Sequence, residues 1–120
     1  MAAYREKLRR LALNDERYLE RVLSHTDREA AERSLDERSC ALTQLGALVA
    51  LRGPQAAFDS LVCSALAAGL GPEELVDALV AVTPVVGTAQ AVAAAPKLAT
   101  SIGYDLDFAL ERLDPDEDGA

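Results

Sequence analysis

Few side chains in this sequence have the chemistry to act on a substrate, and they are scattered. The one histidine, His25, stands in a charged stretch far in sequence from either cysteine. A metal site or a nucleophilic triad needs several converging ligands or partners. None stands at a suitable spacing, so no metal and no cofactor is expected, and His25 reads as a solvated histidine. Cys40 and Cys63 do not form a C-x-x-C pair. Cys63 lies in the apolar run LVCSALAAG, where burial would leave the thiol inert. The other reading makes it a thiol lining a pocket. Cys40, near the start of its helix, has the better setting for a thiolate, although a first-turn position alone is slight support. Glu73 and Glu74 look like paired carboxylates for acid–base work. A helix start accounts for both, because acidic groups are favoured in a first turn. Asp59 is a lone acid on a helix otherwise turned to a core. No Gly-x-Gly-x-x-Gly or other phosphate loop is present.

The elements that must position these groups are helices throughout. Tyr4, Leu8 and Leu11, then Tyr18, Leu19, Val22 and Leu23, recur at helical spacing. They predict two amphipathic helices, 3–13 and 15–24, with Asn14 as the cap between them. The stretch 25–33 is a loop or a short exposed helix. Ser34 and Glu37 have the spacing of a capping box, and a helix follows to Leu51. Gly53-Pro54 ends that helix and starts another, which carries Phe58, Leu61, Val62 and Ala65 and stops at Gly69. Gly71-Pro72-Glu73-Glu74 is a helix start with proline in the first turn. Thr83-Pro84 repeats the signal and predicts a new helix to about Ala94, and Pro96 predicts a further turn or two to Gly103. A last helix is expected over 105–112, before an acidic, disordered tail over 113–120. The fold class is therefore all-α, with three divisions: an N-terminal extension 1–34, a helical domain 35–112 and the tail 113–120.

Composition narrows the function. The chain has 120 residues, half of them apolar but only 4% aromatic, with no Trp. Alanine makes up much of the apolar half, so the helices can lie close together. The net charge is −8, and all of the excess falls after residue 40. Such a chain lacks the basic footprint of a nucleic-acid binder or of a protein held to an anionic membrane surface. The uncharged run 78–96 is bounded by Asp77 and Lys97 and interrupted by Pro84 and Gly87. A buried helical pair describes it better than a membrane span. The N-terminus has no apolar signal core, and two reduced thiols fit a cytoplasmic protein. The segment Leu75–Ala99 is apolar nearly all round, more than one short chain can cover. Contact between subunits of a homo-oligomer is expected.

The run from Leu35 to Leu110 resembles the carboxymuconolactone decarboxylase / alkylhydroperoxidase D-like superfamily. The residues that carry the likeness are LDERSCALTQLGALVALRGP, ALAAGLGPEELVDALVAV and TPVVGTAQAVAAAPKLATSIGYD. The segment from Ala65 to Leu75 is the most specific part. The resemblance implies an alkylhydroperoxidase D-like helical bundle assembled as a trimer or hexamer. It also implies a C-x-x-C-x-x-x-H motif, whose cysteines would fall at Pro54 and Ala57 and whose histidine would fall at Leu61. The accompanying glutamate would fall at Ala41 or Leu42. None of these side chains can do that work, and Cys63 is about 200° around the helix from the Leu61 position.

The expected function is therefore that of an oligomeric protein binding a small apolar ligand or a partner protein. By the resemblance, Phe58, Leu61 and Val62 would line its binding cavity. The alternative is an enzyme with an unfamiliar site in the same pocket, acting on a small carbonyl or lactone compound.

Overall fold

A computed structural model describes residues 3–24 and 34–103. Among these residues there are six helices and no strand. The chain divides into two compact units between Ser34 and Leu35. His25, the stretch 25–33, the expected helix 105–112 and the tail 113–120 lie outside the described residues.

The first unit holds α1 (Ala3–Ala12) and α2 (Glu16–Ser24). Asn14 does not cap α2 as the sequence suggests. It takes a left-handed conformation, φ 57°, which asparagine tolerates better than most residues. The cap is Asp15, whose Oδ1 accepts the Tyr18 N–H at 3.2 Å. Tyr18 is the buried side chain of this hairpin. The Arg10 and Arg21 guanidinium groups stand 5.6 and 5.8 Å from its ring centroid, as cation–π partners. On α1, hydrogen bonds from Arg9 and then Arg10 pull the Glu6 carboxyl down to about 2.

The second unit is a ring of four helices: α3 (Glu37–Leu51), α4 (Gln55–Ala67), α5 (Pro72–Val86) and α6 (Thr88–Ile102). Neighbours pack in the order α3–α4–α6–α5 and back to α3, and α3 also touches α6 across the ring. The core is a single cluster drawn from all four helices, including Leu45, Val49, Phe58, Val62, Leu75, Leu79 and Leu98. Ala41, Ala65 and Ala94 are buried with them. Small side chains at these points let the backbones approach closely.

Helix boundaries depart from expectation at three places. The cap of α3 is Asp36, not Ser34: its Oδ1 accepts the Ser39 N–H at 2.7 Å. Asp36 is an equally good capping residue and stands two positions nearer the helix, directly before its first residue. Pro84 does not begin a helix. It lies in the last turn of α5, and the Gly87 N–H bonds to the Thr83 carbonyl at 2.8 Å. The joint is Gly87, at φ 93° and ψ 160°, a region nearly exclusive to glycine. Pro96 likewise lies inside α6, which runs unbroken to Ile102. Proline removes one backbone donor in each helix. The burial of Leu79 on α5, and of Ala94 and Leu98 on α6, outweighs the missing bond.

Two long-range polar contacts fix the ends of these helices. Arg38 reaches from α3 to the α5 start, donating to the Gly69 carbonyl at 2.9 Å and to Glu74 at 2.6 Å. Glu74 also accepts the Gly71 N–H at 3.2 Å. This carboxylate is therefore an anchor of the helix start. At the C-terminus of α3, Arg52 donates to the Gln90 side chain. The Gln90 amide in turn donates to the Ala50 carbonyl at 2.9 Å, satisfying a group the helix leaves open.

Candidate functional site

The starting end of α5 and the finishing end of α6 face each other across an open cleft of about 560 Å³. The two helices are therefore antiparallel. On α6 the cleft is lined by Ala95, Leu98, Ala99 and Ile102, which recur at helical spacing and so share one face. On α5 it is lined by Pro72, Glu73, Val76, Asp77 and Leu79. The space has a simple cause. Ala95 and Ala99 are four residues apart with no side chain beyond Cβ, so the stripe between Leu98 and Ile102 is hollow. Leu79 and Leu98 form the floor at 9% and 2% exposure, and both belong to the buried core. The walls are carbon, and the rim carries two carboxylates.

Those carboxylates differ from their neighbours. Asp36 and Glu74 are held by donors of the fold, and so is Asp59. Asp59 Oδ1 accepts the Ser101 hydroxyl at 2.7 Å and the Gln55 amide at 3.0 Å. Gln55 also donates to the Lys97 carbonyl at 2.9 Å, and Lys97 Nζ donates to the Gly53 carbonyl at 2.9 Å. Asp59 is thus an exposed clasp between α4 and α6, its carboxyl held below the usual range by Gln55 and then Ser101. Glu73 and Asp77 have no hydrogen bond or ion pair among the described residues. They project from successive turns of one helix face, both at the cleft.

The sequence-derived candidates are distributed differently. Phe58 and Val62 are 0% and 2% exposed, and Leu61 packs half-buried against the same core. None of the three lines the cleft between α5 and α6. They stand behind its floor, in the cluster that includes Leu79 and Leu98. Cys63 is not buried as its apolar neighbours imply: it lies on the exposed side of α4. A run of apolar residues longer than one helical turn must place some of them outward. Cys40 is half-buried, with its Sγ 3.9 Å from the Leu35 carbonyl, and no disulfide joins the two cysteines.

Sequence reasoning passed over the rim. Glu73 was accounted for by the helix start and Asp77 only as the border of an uncharged run. The legible signal was their spacing of four around Val76, which puts all three on one side of a helix.

Among the described residues no group of three or more His, Cys, Asp or Glu is placed to hold a metal ion. No helix there is long and apolar enough to cross a membrane. Comparison with curated proteins and with solved structures finds no match. The model of the carboxymuconolactone decarboxylase family matches residues 16–100, from the start of α2 nearly to the end of α6. A match over so much of the sequence, on described residues that form helices and no strand, shows that the chain belongs to the carboxymuconolactone decarboxylase family.

Proposed function

We propose that this chain is a homo-oligomeric binding protein whose cleft between α5 and α6 takes a small, largely apolar ligand. The observation that carries the reading is the lining of the cleft. It is apolar apart from Glu73 and Asp77, and its volume lies in the ordinary range for small-molecule sites. No thiol, imidazole, hydroxyl or amine is among its side chains. The motif positions support the same reading. Pro54, Ala57 and Leu61 supply neither a thiolate nor a proton shuttle, and Ala41 is a core side chain.

The oligomer is supported by the far end of the same helix pair. Val85 and Val92, on either side of the Gly87 joint, are 84% and 65% exposed in a single protomer. Branched apolar side chains so exposed are the usual mark of a contact surface. A trimer or hexamer is the assembly that the family resemblance implies.

The second reading is an enzyme acting on a small carbonyl or lactone compound, with Glu73 or Asp77 as its acid or base. Their position at the cleft favours it. Against it, the lining offers no thiol, hydroxyl or amine nucleophile and no cationic or amide side-chain donor to steady a developing oxyanion.

Thermal denaturation against a panel of small aliphatic and aromatic compounds tests the binding reading. A bound compound should stabilise the fold by about 2.7 kcal/mol at 100 times its dissociation constant. Ala99→Trp, which fills the hollow stripe, should abolish the shift. No shift with any compound, or an equal shift in Ala99→Trp, would overturn the proposal. Turnover of a simple lactone that is lost in Asp77→Asn would favour the enzyme.

A further inference from the structure

The cleft is not neutral at its mouth, and the asymmetry identifies what it would take. Glu73 and Asp77 are the only charged side chains of the lining. Glu74, which lies between them in sequence, is occupied by Arg38 and by the Gly71 N–H. The nearest candidate cation along α6, Lys97, is turned to the Gly53 carbonyl on another part of the unit. Two carboxylates one helical turn apart therefore stand at the edge of a carbon-walled hollow. The positive end of α5 offsets Glu73 in part, but neither has a side-chain cation as partner among the described residues.

Resting on the ligand-binding reading above, we infer that the cleft selects amphipathic cations: small molecules with an apolar body and an ammonium group at one end. The body lies on Leu79, Leu98 and Ile102, over the gap left by Ala95 and Ala99. The ammonium reaches the rim, where it donates hydrogen bonds to Glu73 and Asp77. An apolar body alone gains from burial in proportion to its area, so the walls do not distinguish one end group from another. The rim does. An ammonium keeps partial hydration there and gains two opposite charges. A carboxylate of the same skeleton meets two like charges and no donor. The net charge of −8 acts in the same direction at longer range.

Three probes with one carbon skeleton test this on the intact protein: 4-phenylbutylammonium, 4-phenylbutanol and 4-phenylbutyrate, titrated by calorimetry at low and high salt. The ammonium should bind about fivefold more tightly than the alcohol, the gain expected from partly exposed ion pairs, and the carboxylate should bind most weakly. Added salt should narrow the ammonium–alcohol gap. In the double variant Glu73→Gln, Asp77→Asn the ratio of ammonium to alcohol affinity should fall to about one. Both side chains are exposed, and circular dichroism should show the helices of the variant unchanged. Equal binding of ammonium and alcohol by the parent, or an unchanged ratio in the double variant, overturns the inference and leaves the apolar-ligand reading standing. If none of the three binds, both fail. In that case a second copy of the chain is the occupant to look for, and Ala99→Trp would lower the mass measured by light scattering.

Discussion

Asp59 is an exposed carboxylate whose acidity the fold has changed. The Gln55 amide and the Ser101 hydroxyl both donate to it, favouring its charged form and lowering its pKa below the ordinary value of 3.8. A group lowered in this way stabilises the fold fully above 3.8, and that contribution disappears as pH falls through the lowered value. Asp59→Asn should therefore be less stable than the parent at pH 7, with the gap closing below 3.8. Urea denaturation at pH 7 and pH 3 measures this. A gap of equal size at both pH values would show that Asp59 acts by shape alone. The sequence left open which way Asp59 faces, because its partners lie 42 residues away on Ser101 and on the same helix at Gln55. The same limit explains Cys63. Local hydrophobicity says that a helix is buried somewhere, but only packing decides which residue of LVCSALAAG turns outward. Phe58 and Val62 face inward, as type and spacing imply, but the ligand cavity that the resemblance has them line is a separate expectation, and they are not among the walls of the cleft.

At the scale of elements, the joints at Gly53-Pro54 and Gly69 and the start at Gly71-Pro72 were readable, whereas the caps at Asp15 and Asp36 and the joint at Gly87 were not. Gly71-Pro72-Glu73-Glu74 begins α5 as its composition implies, since each residue serves the first turn. Pro84 and Pro96 misled because proline also breaks helices, and sequence alone does not weigh the missing donor against buried Leu79 and Leu98. The true joint, Gly87, has an unusual backbone conformation that only coordinates reveal. Two glycines then give opposite expectations. A Cβ at Gly87 would meet nothing within 4 Å, but φ there is +93°. Gly87→Ala should destabilise by about 1–3 kcal/mol through backbone strain alone. Gly46 lies inside α3, and a Cβ there would sit 3.5 Å from Val82 Cγ2, an ordinary contact. Gly46→Ala should stabilise by about 0.5–1 kcal/mol through helix propensity. Chemical denaturation of both variants checks the pair, and a stabilising Gly87→Ala would show that the joint is not held at that angle.

At the scale of the whole molecule, the α5–α6 pair has two ends with different surfaces. The turn end presents Val85 and Val92, and the open end holds the cleft. The oligomer we propose would use the first end, so Val85→Asp should lower the mass seen by light scattering towards 12.7 kDa with the helices retained. Val86 is partly buried against the core. Val86→Asp should instead cost several kcal/mol of stability, because it places a charge among apolar side chains. A parent that is already a 12.7 kDa monomer at micromolar concentration would remove the oligomer altogether. The all-α class and the family were legible from helix signals and from the Ala65–Leu75 segment. The cleft was not, because a hollow between two helices depends on which small residues face each other. The most direct measurement is a crystal structure of the protein with a small apolar compound bound, 4-phenylbutanol being the simplest choice. The compound should lie between α5 and α6, touching Val76 and Ile102 and resting on Leu98. Density for it in the core beside Phe58, Leu61 and Val62, or side chains closing the cleft with no compound present, would contradict the assignment.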